Sequence, residues 1–189
     1  MGEKPKTTDM LLDAVHAAAK TEQTDDLLGD IPLRRHSGIS ARQCGGSPEI
    51  DRDCLNDWSD IRDILKAIKL MQLAHETVLE LVSGYGDAFS AQVMSAAMRE
   101  MGLPFEFLNA RDVLRVRHDD VAGQTVEWDL SEELLNDVMA QCQKVLGYKP
   151  HFVITGFVAS TTEEIATTFK RDGSDCSAFI FGRSSLPML

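Results

Sequence analysis

The sequence predicts an α/β protein in which short strands pair in parallel and helices cover them. Segments with apolar residues at three- and four-residue steps alternate with short apolar runs bounded by glycine or proline. In addition, His151–Gly182, HFVITGFVASTTEEIATTFKRDGSDCSAFIFG, reads as a strand, a glycine turn, a cationic loop and a helix start.

Thr7–Lys20 is the first expected helix, with Leu11, Leu12, Val15 and Ala19 on one face and Thr8 or Asp9 as its cap. Residues 24–53 are rich in Asp, Gly, Arg and Ser and show little periodicity, as a loop or poorly ordered insertion would. Trp58–Val82 is the most regular segment. Ile61, Ile64, Leu65, Ile68, Met71, Val78 and Leu81 fit one long amphipathic helix, capped by Asp57 or Ser59 and ended by Gly84. His75, inside that pattern, reads as a surface or packing residue. Ser83–Asp87, SGYGD, separates it from a further helix over Phe89–Met101.

Phe105–Leu108 follows Gly102 and Pro104 as a short strand. Val126–Val145 carries a helix capped at Ser131, with Glu132 and Glu133 in its first turn. Phe152–Ile154 is a buried strand that stops at Thr155-Gly156, and a polar span, Thr161–Thr168, leads into the cationic loop. Cys176–Phe181 can start a helix with Ser174 or Asp175 as N-cap. Its first free amides would face the Gly173 loop, a natural place to hold an anion.

Composition narrows the function classes. Of 189 residues, 43% are hydrophobic and 26% charged, ordinary values for a globular chain with a sizeable core. A formal net charge of −11 argues against a nucleic-acid surface, which needs clustered Lys and Arg. No apolar run is long enough to span a bilayer. The N-terminus MGEKPKTTD has neither the apolar core of a signal peptide nor Arg-rich transit character, so cytoplasm or plastid stroma is expected. Cys44, Cys54, Cys142 and Cys176 lack zinc-site spacing and read as reduced thiols, and no metal site is expected.

TGFVAST followed by TTFKRDGSDCSA resembles the signature of the aspartate kinases, roughly T-G-F-x-A-x-T and then T-T-L-x-R-x-G-S-D-x-S-A. The variant it is most similar to is the kinase part of bifunctional aspartate kinase–homoserine dehydrogenases, whose loop often reads K-R-D-G-S-D. TTDML resembles the family's T-D-x-L segment, and Asn109–Leu114, NARDVL, resembles D-x-R-E-V-L, a strand-to-turn joint. SGYGD resembles S-x-G-x-G-E, whose glutamate contacts the aspartate substrate; here that position is Asp87, one methylene shorter. The resemblance covers most of Thr7–Gln23 and Leu55–Gly182.

It implies the amino-acid kinase fold, a three-layer α/β/α sandwich. It also implies transfer of the ATP γ-phosphoryl group to the β-carboxylate of L-aspartate, the first step toward lysine, threonine and methionine. ATP and Mg2+ are the implied cosubstrate and ion. By the same resemblance Asp87, Arg171, Asp172, Gly173 and Ser174 would bind substrate, with Arg171 on a carboxylate, and Asp175 would orient the reacting groups. Read from the residues alone, Arg171 is a solvated loop charge, and Asp87 and Asp175 are helix caps.

The family also begins with a strand bearing K-F-G-G-T-S and continues past the site into W-T-D-V-D-G-V-Y-x-x-D-P-R, which contacts ATP. Neither occurs in these 189 residues. Arg42–Ser47, RQCGGS, is a decoy for the first, since no apolar strand leads into it. The expectation is a partial kinase domain, incomplete at both ends, poorly soluble or oligomeric alone and without measurable turnover; a full-length protein is expected to be a homo-oligomer. A non-catalytic α/β protein that binds a ligand or partner, and another amino-acid kinase, are the alternatives.

Overall fold

The computed structural model describes residues 6–21, 48–119, 123–169 and 173–184. Helix α1 (Thr7–Ala19) buries Leu11, Ala14, Val15, Ala17 and Ala18, a stripe wider in alanine than the leucine–valine face expected. The residue at its N-cap is Lys6, which makes no side-chain cap bond. Thr8 and Asp9 therefore lie in the first turn, where Asp9 favours the helix dipole instead of capping.

Helix α2 (Pro48–Met71) begins inside the span expected as loop, so residues 48–53 are helical. Proline suits a first helical position, where its missing N–H costs nothing. The rest of that span, including Arg42–Ser47, lies outside the described residues. Because α2 starts at Pro48, neither Asp57 nor Ser59 is its cap.

The long helix expected over Trp58–Val82 is two helices. Gln72 takes a left-handed conformation, φ +53°, and α3 (Glu76–Ser83) starts afresh with His75 as N-cap, its ring nitrogen accepting from the Thr77 amide at 3.3 Å. The stripe itself explains the break. Met71, the stripe residue after Ile68, is exposed in the last turn of α2, and the following positions, Gln72 and His75, are polar. Helix α4 (Tyr85–Glu100) follows after the single residue Gly84, earlier than the expected Phe89.

Beyond Gly102, at φ +76°, come β1 (Phe105–Leu108), a short helix α5 (Ala110–Val113), β2 (Arg115–Asp119) and β3 (Gly123–Val126). Helix α6 (Trp128–Leu146) is closed by Gly147 at φ +77° and leads to β4 (His151–Ile154). The chain continues through β5 (Val158–Thr161), β6 (Ala166–Thr168) and α7 (Gly173–Ser184). Asn109, not a longer strand, caps α5 by accepting from the Arg111 amide at 3.1 Å.

Ser131 is not a cap either. The residue at the α6 N-cap is Glu127, and Ser131 Oγ instead accepts from the Arg115 amide at 2.9 Å. It thus gives β2 a partner at the point where the ladder offers none.

Pairing is mixed. β1 and β4 are parallel, as are β2 and β5, but β2–β3 and β5–β6 are antiparallel hairpins, giving the order β3-β2-β5-β6. The polar span Thr161–Thr168 is the turn and return strand of the second hairpin. A helical core joins α1–α4 through Leu11, Val15, Trp58, Ile61, Leu65, Ile68, Val82 and Phe89. A second core joins Leu114, Val116, Val158, Ala159 and Phe169 of the sheet to Ile180 of α7. A smaller one sets Leu108 and Val113 against Leu135 of α6.

Candidate functional site

Three stretches far apart in sequence meet at the junction of α3 and α4. Gly84, the hinge between these helices, has φ −70° and ψ −18°, ordinary helical values that any residue adopts. Its missing side chain matters for space. A Cβ there would fall within the Arg111 guanidinium and 2.6 Å from Val158 Cγ1. Gly86 is the same case on the other side, since a Cβ would lie 2.9 Å from Thr8 Oγ1 at the start of α1. The SGYGD turn is thereby clamped between the TTDML and NARDVL segments.

Arg111 is the clamp's cation. Its Nη2 donates to the carbonyls of Glu80 and Leu81, at 3.2 and 3.0 Å, in the last turns of α3. A positive charge at a helix C-terminus is favourable. Its Nε is buried without a partner among the described residues, and burial pushes the guanidinium below its ordinary pKa against the pull of Tyr85, Asp112, Asp57 and Glu80. Glu80 adds a second tether. Its carboxylate accepts from Thr167 Oγ1 at 2.7 Å, and Thr167 in turn accepts from Gln124 Nε2 at 3.0 Å, linking α3 to β6 and β3.

The second half of the site is the TGF turn. Thr155 is buried and locks β4 to α5, its Oγ1 accepting from the Ala110 amide at 2.7 Å. Phe157 has φ +70°, a conformation that costs a bulky residue about 1–2 kcal/mol. It is held there from both sides. Its amide donates to Ser177 Oγ at 3.1 Å, and its carbonyl accepts from the Phe169 amide at 2.8 Å. Ser177 also donates to the Gly173 carbonyl at 3.0 Å. A Cβ on Gly173 would sit 2.7 Å from the Phe157 ring, and one on Gly156 would sit 3.1 Å from Ser174 Oγ. Turn and helix start are therefore in close backbone approach.

Of the six residues expected to form the site, four can be placed. Gly173 is buried, whereas Ser174 and Asp175 are exposed in the first turn of α7. The helix begins at Gly173, so neither Ser174 nor Asp175 is its cap. Arg171 and Asp172 lie outside the described residues.

Asp87 is half-buried in the first turn of α4, where Gly84 occupies the cap position; its reading as an N-cap is thus corrected. Burial pushes its carboxyl above the ordinary range. No hydrogen bond or ion pair joins it to Ser174 or Asp175 among the described residues. The two clusters nevertheless adjoin one end of the β5–β6 hairpin. Val158 pairs with Thr168 there, Gly84 abuts Val158, and Phe169, just after β6, lies against Gly173.

Sequence reasoning missed Arg111, Glu80, Thr167 and Ser177. Their signal lies in partners 20 to 87 positions away or in backbone groups, which no local pattern displays. Among the described residues no three His, Cys, Asp or Glu side chains converge as metal ligands.

No family model matches the chain. It is 33% identical over 187 residues to the chloroplastic bifunctional aspartokinase/homoserine dehydrogenase 2 of Arabidopsis thaliana, covering 94% of this chain and 19% of that protein. It is 28% identical over 196 residues to bifunctional aspartokinase/homoserine dehydrogenase 2 of Escherichia coli, covering 96% of this chain and 23% of that one. The chain thus spans about a fifth of the length of these curated relatives. Among solved structures it resembles E. coli aspartokinase III in complex with aspartate and ADP, with a TM-score of 0.65 at 16% identity, over 95% of this chain and 38% of that one. Clostridium acetobutylicum aspartate kinase gives a TM-score of 0.63 at 20% identity, over 97% of this chain and 36% of that one.

Proposed function

We propose that this chain, homologous over 94% of its length to bifunctional aspartokinase/homoserine dehydrogenases and folded as an aspartokinase, supplies the L-aspartate site of an ATP-dependent phosphotransferase. The reaction would place the γ-phosphoryl group of ATP on the β-carboxylate of L-aspartate. The observation that carries this reading is the TGF turn, strained at Phe157 and braced by Ser177, which brings the α7 N-terminus against Gly156. Strain held by surrounding bonds is characteristic of sites that bind or react.

In this reading Arg171 pairs with a substrate carboxylate, while Ser174 and the Gly173 backbone donate hydrogen bonds to it. Asp87 receives the substrate ammonium group. An ammonium beside a half-buried carboxylate that has no partner among the described residues restores the anion that burial disfavours. Asp172 belongs to the same binding loop, and Asp175 orients the reacting carboxylate, with the α7 dipole opposing the negative charge that develops. The described residues form no cage for Mg2+, so that ion would arrive with the nucleotide phosphates. A plastid or cytoplasmic setting fits the chloroplastic plant relatives.

The test is calorimetric titration of the 189-residue chain with L-aspartate and L-glutamate. L-Aspartate is expected to bind, with L-glutamate weaker by roughly tenfold or more for the misplaced methylene. Arg171→Ala should weaken L-aspartate binding by on the order of 1.5–3 kcal/mol. A folded chain that takes up no L-aspartate overturns the reading. Phosphoryl transfer is assayed separately with ATP, Mg2+ and hydroxylamine trapping. None is expected from residues that include neither nucleotide motif.

A further inference from the structure

Asp87 can meet a substrate ammonium group only if α4 starts at a fixed place and angle. Gly86 and Phe89 pack that turn against α1 and the helical core, but among the described residues no side chain caps it at Gly84 and no hydrogen bond holds the Asp87 carboxylate. A further constraint, from the side of the TGF turn, comes from α5.

Arg111 reaches across from the NARDVL segment, grips the Glu80 and Leu81 carbonyls and fills the space over Gly84 that any side chain would need. Its own backbone is fixed in turn. The Asn109 side chain receives its amide, Thr155 Oγ1 receives the amide of Ala110, and its carbonyl accepts from Arg115 Nη1 at 2.6 Å. Thr155 belongs to the TGF turn. One rigid path therefore runs from that turn through Ala110 and Arg111 to the hinge that carries Asp87.

We propose that Arg111 is the positioning residue of this site, setting Asp87 relative to the TGF turn without touching substrate. This rests on the reading of Asp87 as the group that meets the ammonium. A lysine could keep the charge but not the guanidinium, one nitrogen of which reaches two successive carbonyls while the group occupies the space over Gly84. A purely structural arginine would lower stability and leave the folded protein's affinity alone. A positioning arginine loosens the hinge and weakens binding at temperatures where the protein is folded.

The experiment compares the full chain with Arg111→Lys, Arg111→Ala and Ile61→Val, the last a trimming of the helical core away from the hinge. Amide hydrogen exchange is followed at Tyr85–Phe89 and, as reference, at Leu11–Ala18. Both Arg111 variants should speed exchange at Tyr85–Phe89 relative to the reference by on the order of tenfold, with Lys intermediate. L-Aspartate affinity should fall by about tenfold in Arg111→Ala and be unchanged in Ile61→Val. Exchange at the hinge that rises no more than at the reference overturns the proposal, and so does a loosened hinge with unaltered affinity. If the wild-type chain binds no L-aspartate, the functional reading falls, and the exchange measurement alone decides whether Arg111 fixes the hinge. Should Arg111→Ala fail to fold, Arg111→Lys carries both measurements.

Discussion

The helical region, α1 to α4, and the strand region that follows are held together differently. The helical core is a set of apolar stripes, with Leu11, Val15, Ile61, Leu65, Ile68, Val82 and Phe89 buried from four helices. Each stripe is a local property of its own segment. The strand region has strands of three to five residues, and several of its joints are single hydrogen bonds from side chain to backbone. Ser131 serves Arg115, Thr155 serves Ala110, and Ser177 serves Phe157. Bulk burial is spread over many atoms and forgives small changes, whereas a lone buried hydroxyl does not. Placing reactive groups depends on the second kind of bond, and of the expected substrate residues that can be placed, Gly173, Ser174 and Asp175 lie in that region and Asp87 does not.

The two tryptophans allow the comparison to be broken or sharpened, because Trp58 sits in the helical core and Trp128 against the sheet core. The largest effect is expected from Leu65→Ala, at about 2–5 kcal/mol for a buried leucine. Urea unfolding of Trp58→Phe and Trp128→Phe backgrounds would report each region alone. With Arg111 and the Glu80–Thr167 bond joining the two, both reporters should shift together. A shift seen only by Trp58 would show two separately folding units.

Ser131→Ala should come next, at about 1–3 kcal/mol, because the buried Arg115 amide loses its acceptor. Ser131→Thr, which keeps the hydroxyl, should recover most of that loss by thermal denaturation.

Asp87→Asn is the smallest in stability and the most telling. The folded-state pKa of Asp87 is raised, so its ionisation opposes folding once pH exceeds the ordinary carboxylate range. Removing the charge should stabilise the chain near neutral pH by up to about 1 kcal/mol. The gain should disappear as pH falls from above the raised pKa to below the usual carboxylate value of about 3.9. The same variant should lose most of its L-aspartate affinity. Equal stability of the two proteins across that window would mean the carboxylate is well solvated.

The same contrast decides how far the sequence could be read. The stripes of α1 and α2 are visible as periods, and even the break at Gln72 is written in the polar residues at two stripe positions. The α/β class and the strands at Phe105 and Phe152 follow from short apolar runs beside turn residues. The hairpins do not. RVRHD and ATT are too short and too polar to signal strands, and their order arises from pairing with distant partners. Likewise Ser131 looks like a cap because serine before two glutamates usually is one, and only the position of β2 gives it another task. The TGF and GSD segments were legible as a unit through their resemblance to a family. Arg111 was legible only as part of a joint, since the two acceptors of its side chain are backbone carbonyls that any sequence would supply.

The glycine hinge has a consequence for how such a chain can change. Gly84 has an unexceptional backbone, so its restriction is imposed entirely by the side chains of Arg111 and Val158. Acceptable substitutions at this position therefore form a path with a direction. Alanine at 84 is harmful while Arg111 and Val158 remain, and becomes tolerable only after both have been trimmed. The reverse order passes through a chain whose two helices are forced apart. Once Arg111 has gone, an alanine at 84 then bars the arginine's return, so the hinge would lock against reversion by the same crowding that now keeps it open.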